Sequence, residues 1–310
     1  MPTQAEHVIL VLSGKGGVGK STVSTSLALS LALGSSNSPP RNVGILDIDL
    51  TGPSVPRILG VAEHRVHQGS KGWVPVQVPL PPASSSSNAL PPALSTKGNL
   101  GCMSIGFLLQ NPGDAVIWRG PKKHAMISQF LQDVDWGTRA LEFLVVDTPP
   151  GTGDEHIALV ESLRAGWKVD GAVLVTTPQE VSIADVRKEL SFCRKVGIRV
   201  LGIVENMSGY VCPHCAECTN LFSKGAGEAL AREYGVPFLG CVPIDAGLVA
   251  AVESSVEVEA EENGKTTRVG GYVAGFRESG VHDVFQAITR QVVELVEVPR
   301  TDATANKVIQ

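Results

Sequence analysis

Val8-Ile9-Leu10-Val11-Leu12 is an unbroken apolar run that stops at glycines, the pattern of a parallel strand buried on both faces. The spacing that follows predicts a helix over about Lys20–Leu33. β-Branched runs recur at Val43–Leu46, Phe143–Val146, Ala172–Val175 and Val200–Val204. Helical patterns intervene, as over Val181–Val196, where apolar residues return at three- and four-residue steps. Strands alternating with helices predict an α/β fold built from βαβ units, with a mainly parallel sheet and helices on both faces. The last periodic stretch, Val281–Val296, puts Val281, Val284, Phe285, Ile288, Val292 and Leu295 on one helical face. Only Arg290 could lie opposite as a membrane-facing charge, so this face is expected to pack on the core.

Two stretches break the pattern. The segment 79–97 contains Pro81-Pro82, Ser84 to Ser87 and Pro91-Pro92, too little apolar surface to order itself, and is expected to be a flexible insertion. Glu253 to Gly271 is acidic and then glycine-containing, and is read as a surface loop. The tail over 299–310 is expected to fray. No composition shift divides the chain, so residues 1–310 are read as a single domain.

Composition narrows the function classes. The chain has 310 residues, of which 43% are hydrophobic and 18% charged, enough for a substantial core. A net charge of −5 argues against nucleic acid as a partner. No apolar run is long enough to span a bilayer, and Met1 to His7 resembles neither a signal peptide nor an Arg-rich leader, so a cytoplasmic home is expected. Six cysteines lie at 102, 193, 212, 215, 218 and 241. Their clustering is unlike a disulfide framework and points to metal or redox chemistry. Cys102, Cys193 and Cys241 fall within apolar patterns and are expected to be inert core residues.

The first chemical signal follows the first strand directly: Gly14-Lys15-Gly16-Gly17-Val18-Gly19-Lys20-Ser21-Thr22 satisfies G-x-x-x-x-G-K-[ST] between a strand and a helix. Glycines let the backbone curl so that N–H groups point at phosphate oxygens, and the helix adds the positive end of its dipole. Lys20 is then expected to neutralise the outer phosphates of ATP, and the Ser21 hydroxyl to ligate Mg²⁺. After the second strand come Asp47 and Asp49, placed where a strand-end carboxylate reaches the phosphate loop. A water-activating base needs that position, although Asp49 could also cap a helix. Phe143-Leu144-Val145-Val146-Asp147 reads as a Walker B strand carrying Asp147 to Mg²⁺ or its water shell. The loop from Thr148 to Asp154 could sense the terminal phosphate through a backbone N–H.

The second signal is Cys212-Pro213-His214-Cys215-Ala216-Glu217-Cys218. Thiolates three residues apart suit one soft metal centre, zinc or iron–sulfur. One chain offers three adjacent thiolates with His214 beside them, which could close a zinc site alone; two facing chains could instead give two thiolates each. His64, His67 and His156 are isolated, and no role is assigned to them.

The phosphate loop, Asp47/Asp49, Asp147 and the CPHC cluster together resemble the Mrp/nucleotide-binding-protein (NUBP) branch of the deviant Walker A ATPases. The likeness runs from residue 7 to about 295 and includes Trp118-Arg119-Gly120-Pro121, Thr177-Pro178-Gln179-Glu180 and Gly209-Tyr210-Val211-Cys212. The resemblance implies a P-loop NTPase fold of the SIMIBI type. It implies a dimer in which Lys15 reaches the partner's nucleotide, an Asp49 that positions the attacking water, an Asp47 near the Mg²⁺ shell and an Asn206 on the adenine edge. Read without it, Asn206 is a turn residue. It further implies a slow ATPase that assembles a [4Fe–4S] cluster at Cys212 and Cys215 of two chains and passes it to apo-proteins in cytosol and nucleus. Members occur as two related subunits, and with the first strand starting at residue 8 the chain is similar to the shorter one. A homodimer, a hetero-complex with the longer subunit, and contacts with targeting factors are the implied partners. Three rivals share the loop: a DNA-partitioning ATPase, a membrane-bound division-site ATPase, either of them zinc-stabilised, and a redox protein with a bridging cluster.

Overall fold

The computed structural model describes residues 5–35, 38–49, 52–81, 98–108, 120–137, 139–164, 166–211, 218–219, 225–259 and 266–297. The apolar runs become strands of one sheet. β1 (His7–Leu12) leads through the phosphate loop into α1 (Lys20–Leu33), and β2 (Asn42–Asp47) into the short α2 (Val55–Ile58). Three two-residue strands follow, β3 (His67–Gln68), β4 (Trp73–Val74) and β5 (Val76–Gln77), then β6 (Asn99–Ser104) and α3 (Gly120–Gln132). The middle of the chain alternates β7 (Phe143–Asp147), α4 (Asp154–Arg164), β8 (Val169–Thr176), α5 (Glu180–Lys195) and β9 (Val200–Val211). The remainder comprises β10 (Cys218–Thr219), α6 (Ala226–Tyr234), β11 (Phe238–Ile244), α7 (Ala246–Ala251), β12 (Ser255–Glu259), β13 (Thr266–Gly270), α8 (Gly271–Gly275) and α9 (His282–Glu297).

The main sheet has nine strands in the order β10-β9-β8-β1-β7-β2-β6-β5, with β11 also paired to β9. The β1–β7, β1–β8, β2–β6, β2–β7, β8–β9 and β9–β11 pairs are parallel; β10 and β5 join antiparallel. Successive residues of a strand face opposite layers, which explains why Ile9 and Val11 pack in one apolar cluster and Val8, Leu10 and Leu12 in the other. α1 is buried almost throughout because the sheet lies on one side and α9 on the other. The apolar face of α9 meets α1 and β11, burying Phe285, Ile288, Val292 and Val296, so the final helix packs on the core as its spacing predicts. No helix among the described residues is long and apolar enough to cross a membrane.

One expectation is corrected. Glu253 to Gly271 is not a plain loop, since β12 and β13 pair antiparallel from Ser255↔Gly270 to Glu259↔Thr266. The Val256-Glu257-Val258-Glu259 alternation is a strand pattern that the high acid content hides. The hairpin's root touches α2's exit, where Gly60 (φ 70°) leaves no room for a side chain: a Cβ there would lie 2.4 Å from Gly270 Cα. Most of the proline- and serine-rich insertion, and the tail, lie outside the described residues.

Gly44 of β2 pairs with Gly101 of β6, and the Trp136 indole lies over this flat spot, with Cζ3 2.7 Å from where a Gly44 Cβ would stand. Gly44→Val should therefore expel the indole at a cost of about 1–3 kcal/mol. A lower urea midpoint and a red-shifted tryptophan emission are expected, and an unchanged midpoint would contradict this packing.

Candidate functional site

Parallel pairing sets the site by aligning strand ends. Ser104 of β6 pairs with Asp47 of β2, Asp47 with Asp147 of β7, and Asp147 with Val11 of β1. Two carboxylates thus sit side by side at the carboxyl edge of the sheet, where α/β folds place ligands. Both are fully buried.

The phosphate loop delivers the compensating groups. Lys20 Nζ donates to Asp147 Oδ1 at 2.7 Å, and the Ser21 hydroxyl donates to Asp147 Oδ2 at 2.6 Å. Ser24, one turn further along α1, adds a third donor at 2.7 Å to Oδ1. Asp47 accepts from the Ser104 hydroxyl at 3.0 Å and from the Asp49 backbone N–H at 3.1 Å. The loop's glycines have separate reasons. A Cβ on Gly14 would lie 2.5 Å from Asp185 Cβ on α5, and one on Gly19 (φ 80°) would lie 2.1 Å from Asn206 Nδ2. Gly16 and Gly17 are exposed, and a Cβ on either would meet nothing within 4 Å, so the loop is open on that side. Val18 is buried, and Thr22 is half-buried on the first turn of α1.

One lysine between two buried carboxylates leaves the cluster with excess negative charge. Burial first, and Asp147 second, push the Asp47 carboxyl up to about 8, against the smaller opposing pulls of Lys20, the Asp49 N–H and Ser104. A divalent cation would relieve the same excess, and the donor set of hydroxyl and carboxylate oxygens is of the hard type that Mg²⁺ takes. The residues present therefore fit the metal.

Other predicted residues fall as follows. Lys15 is half-buried at the loop's rim, its carbonyl accepting from the Ser13 hydroxyl at 3.2 Å, and it has no ion pair among the described residues. Asp49 is 9% exposed and lies beyond β2, while α2 is capped at Ser54, so the helix-cap alternative for Asp49 falls away. Asn206, on β9, donates from Nδ2 to the Val18 carbonyl at 2.9 Å and so belongs to the phosphate loop and is no simple turn residue. Cys212 and Cys215 lie outside the described residues. The chain enters them straight from β9, and Cys218 returns in β10, paired to Val211. Cys102 and Cys193 are buried as expected, but Cys241 is exposed, a correction. It sits on β11 with its thiol 3.7 Å from Glu205 Oε1, and partial burial with Glu205 pushes it up to about 11.

Sequence reasoning missed three contributors. Ser24 carried a legible signal, since it lies four residues after Lys20 on the same helical face. Ser104 carried none, because only the β2–β6 register brings it to Asp47. His156, near the start of α4, is 1% exposed, with its ring edge-on to Phe192 at 5.9 Å. Burial pulls its pKa below the ordinary imidazole value, against weaker opposing pulls from the Pro149 carbonyl and Glu155. The loop before it is tied down by the Thr148 hydroxyl donating to Val11 O at 2.8 Å and Gly151 N–H donating to Ser13 O at 2.8 Å.

The chain matches the ParA family, described as NUBPL iron-transfer P-loop NTPase, over residues 4–271. It is 59% identical over 247 residues to the cytosolic Fe-S cluster assembly factor NUBP2 of Gallus gallus, covering 80% of this chain and 82% of that one. It is 50% identical over 291 residues to the cytosolic Fe-S cluster assembly factor CFD1 of Eremothecium gossypii, covering 94% and 92%. Among solved structures, a nucleotide-binding protein from Archaeoglobus fulgidus, in complex with ADP and with cobalt found, is 36% identical with a TM-score of 0.62. That match covers 80% of this chain and 86% of the other.

The raised Asp47 carboxyl has a consequence for stability. Folded, it holds a proton that the unfolded chain releases near 3.8, so native stability falls as pH rises between about 4 and 8. Asp47→Asn should remove its share of that slope and melt higher than wild type at pH 8 without nucleotide or metal. Glu189, pushed up to about 8 by burial and Asp185, leaves a residual slope of the same sign. Equal pH dependence of melting in the two proteins would contradict the shared-carboxylate description.

Proposed function

The chain belongs to the ParA family of NUBPL-type iron-transfer P-loop NTPases, and from that premise we propose that it binds and slowly hydrolyses ATP while assembling a [4Fe–4S] cluster. The cluster is cargo, bridged between two subunits and passed to apo-proteins of the cytosol and nucleus. The observation that supports this reading is that β9 holds Asn206 against the phosphate loop and ends at Val211, the residue before Cys212 in sequence. The names of the chicken and fungal relatives, both cytosolic Fe-S cluster assembly factors, support the cargo and the compartment. The Archaeoglobus structure, bound to ADP, supports the nucleotide.

In this reading Gly14 to Thr22 wrap the phosphates and Lys20 leaves Asp147 to neutralise them. Ser21, Asp47 and Asp147 would hold Mg²⁺, whose charge would offset that developing as the terminal phosphoryl group departs. Asp49 positions the attacking water, and Asn206 turns its amide to the adenine edge, able both to donate and to accept. Lys15, unpaired within the described part of its own chain, reaches across to the partner's nucleotide. Cys212 and Cys215 of each subunit supply the four thiolates that a [4Fe–4S] cluster takes. The partner is a second copy or the longer related subunit, with targeting factors and apo-proteins as further contacts.

Lys20→Ala should weaken ATP binding by about 2–5 kcal/mol, the cost of truncating one partner of a buried charge pair, as read by calorimetry. Unchanged affinity in the folded variant would remove the phosphate-loop assignment. Lys15→Ala should still bind ATP yet turn it over about tenfold more slowly or worse, as loss of a charge supplied in trans does; a wild-type rate would refute the interface role.

The cysteines separate cargo from a structural zinc. After anaerobic reconstitution with iron and sulfide, Cys212→Ala and Cys215→Ala should each lose the cluster absorbance, while Cys218→Ala keeps most of it. Equal damage from all three, with one zinc bound per chain, would overturn the bridging cluster.

A further inference from the structure

The chain is acidic as a whole, yet one stretch of it is basic. Residues 164–199 hold seven lysines and arginines against four carboxylates, a net +3 (7 − 4) within a total of −5. Two of those four carboxylates, Asp170 and Glu189, are buried, so the surface of this stretch is more positive still. Its exposed part is the outer side of α5.

There the chain forms a cleft of about 460 Å³, walled by Arg187, Lys188, Ser191, Phe192 and Lys195 of α5 and by Thr152 from the loop between β7 and α4. Lys188, Ser191, Phe192 and Lys195 recur at three- and four-residue steps, which puts them on one side of the helix. Arg187 is fixed as an end wall by two hydrogen bonds to Glu233 and lies 5.6 Å from the centre of the Tyr234 ring. The other two cations are available. Lys195 is exposed and has no ion pair among the described residues. Lys188 is 72% exposed and meets only Asp185, a surface pair of the kind that holds weakly. The Thr152 and Ser191 hydroxyls are exposed and make no hydrogen bond among the described residues. Half-buried Phe192 supplies an apolar floor, backed by the His156 ring at 5.9 Å.

We propose that this cleft docks an acidic, extended segment of a partner protein, with carboxylates against Lys188 and Lys195 and an apolar side chain on Phe192. Free amines and hydroxyls donate to carboxylates, and the aromatic floor accepts what lies between them. From Arg187 to Lys195 is about 12 Å of helix, the length of about four residues of extended chain. The acidic remainder of the surface repels such a segment and steers it to this one cleft. A nucleic-acid backbone fits less well, since it needs a track of cations and meets a net negative charge everywhere else. The occupant would also lie beside the nucleotide site: Thr152 follows Gly151, whose N–H donates to Ser13 O at 2.8 Å just ahead of the phosphate loop. The proposal goes beyond cluster assembly and does not depend on it.

The test titrates the full chain into a dye-labelled peptide of four glutamates around one leucine, and into the same peptide with glutamines, reading fluorescence anisotropy. Wild type should bind the acidic peptide at least about tenfold more tightly, and the preference should shrink as salt shortens the reach of the charges. Lys195→Glu should weaken binding about tenfold, whereas Lys71→Glu, the same charge change on the exposed turn between β3 and β4, should alter it less than about twofold. Ser191→Trp, which fills the cleft without changing charge, should abolish binding and serves if Lys195→Glu fails to fold. Equal losses from Lys195→Glu and Lys71→Glu, or no preference for the acidic peptide, would overturn the proposal. So would displacement of the peptide by Mg-ATP, which would place it at the phosphate loop, or tighter binding of a labelled oligothymidylate. Loss of peptide binding in step with self-association at higher protein concentration would assign the cleft to a second copy, and would overturn it equally.

Discussion

Asp47 and Asp147 are held side by side because β2 and β7 pair in register, and burying two carboxylates against a single lysine imposes a debt of charge on everything nearby. Ser21, Ser24 and Lys20 all turn toward Asp147, while Ser104 and the Asp49 backbone turn toward Asp47. The uncompensated remainder appears as the raised Asp47 carboxyl. A buried pair of this kind contributes little to stability by itself, since desolvation opposes the Coulomb attraction. Its worth lies in what it would accept, a divalent cation with a polyphosphate, and the sheet holds that place ready.

The second organising element is β9. On one face of the problem it is structural: Glu205 is fully buried and caps the start of α6 by accepting from Gly227 N–H at 2.7 Å. One residue later Asn206 reaches the phosphate loop, and the same strand ends where the cysteines begin. Rival uses of a deviant phosphate loop, in DNA partitioning or at division sites, need the first part of this arrangement and give no reason for the second. α5 closes the other side of the loop, where Asp185 backs Gly14, and is joined to α6 by the Arg187–Glu233 pair and by Arg187 and Arg194 over the Tyr234 ring. Elements on either side of the cysteine segment are thus tied to the nucleotide site.

Much of this was legible in the sequence where a local rule suffices. α1 has the predicted ends, because a glycine loop and then Gly34 bound an apolar run on both sides. The strands that carry Asp47 and Asp147 stood out as β-branched runs. β6 did not, since Asn99-Leu100-Gly101-Cys102-Met103-Ser104 has no β-branched residue, and its place is set by parallel pairing with β2. Ser104 was invisible for the same reason: its partner is 57 residues away and chosen by register. The hairpin at β12–β13 was hidden by acidity, and the exposure of Cys241 by a strand that looks apolar from composition. The resemblance put Asn206 on the adenine edge, and its bond to Val18 was not legible at all, because nothing local distinguishes an amide in a turn from one gripping a loop nearly two hundred residues earlier.

The account's central claim is that the cysteine segment handles iron–sulfur cargo and is not a structural zinc site on a P-loop ATPase. Its most direct test is metal analysis of the protein purified without oxygen, combined with its mass in solution before and after chelation. The account predicts iron and acid-labile sulfide in equal amounts, carried by a two-chain species that chelator converts to metal-free protein still able to bind ATP. Zinc alone, bound to each chain separately and lost only as the chain unfolds, would contradict it.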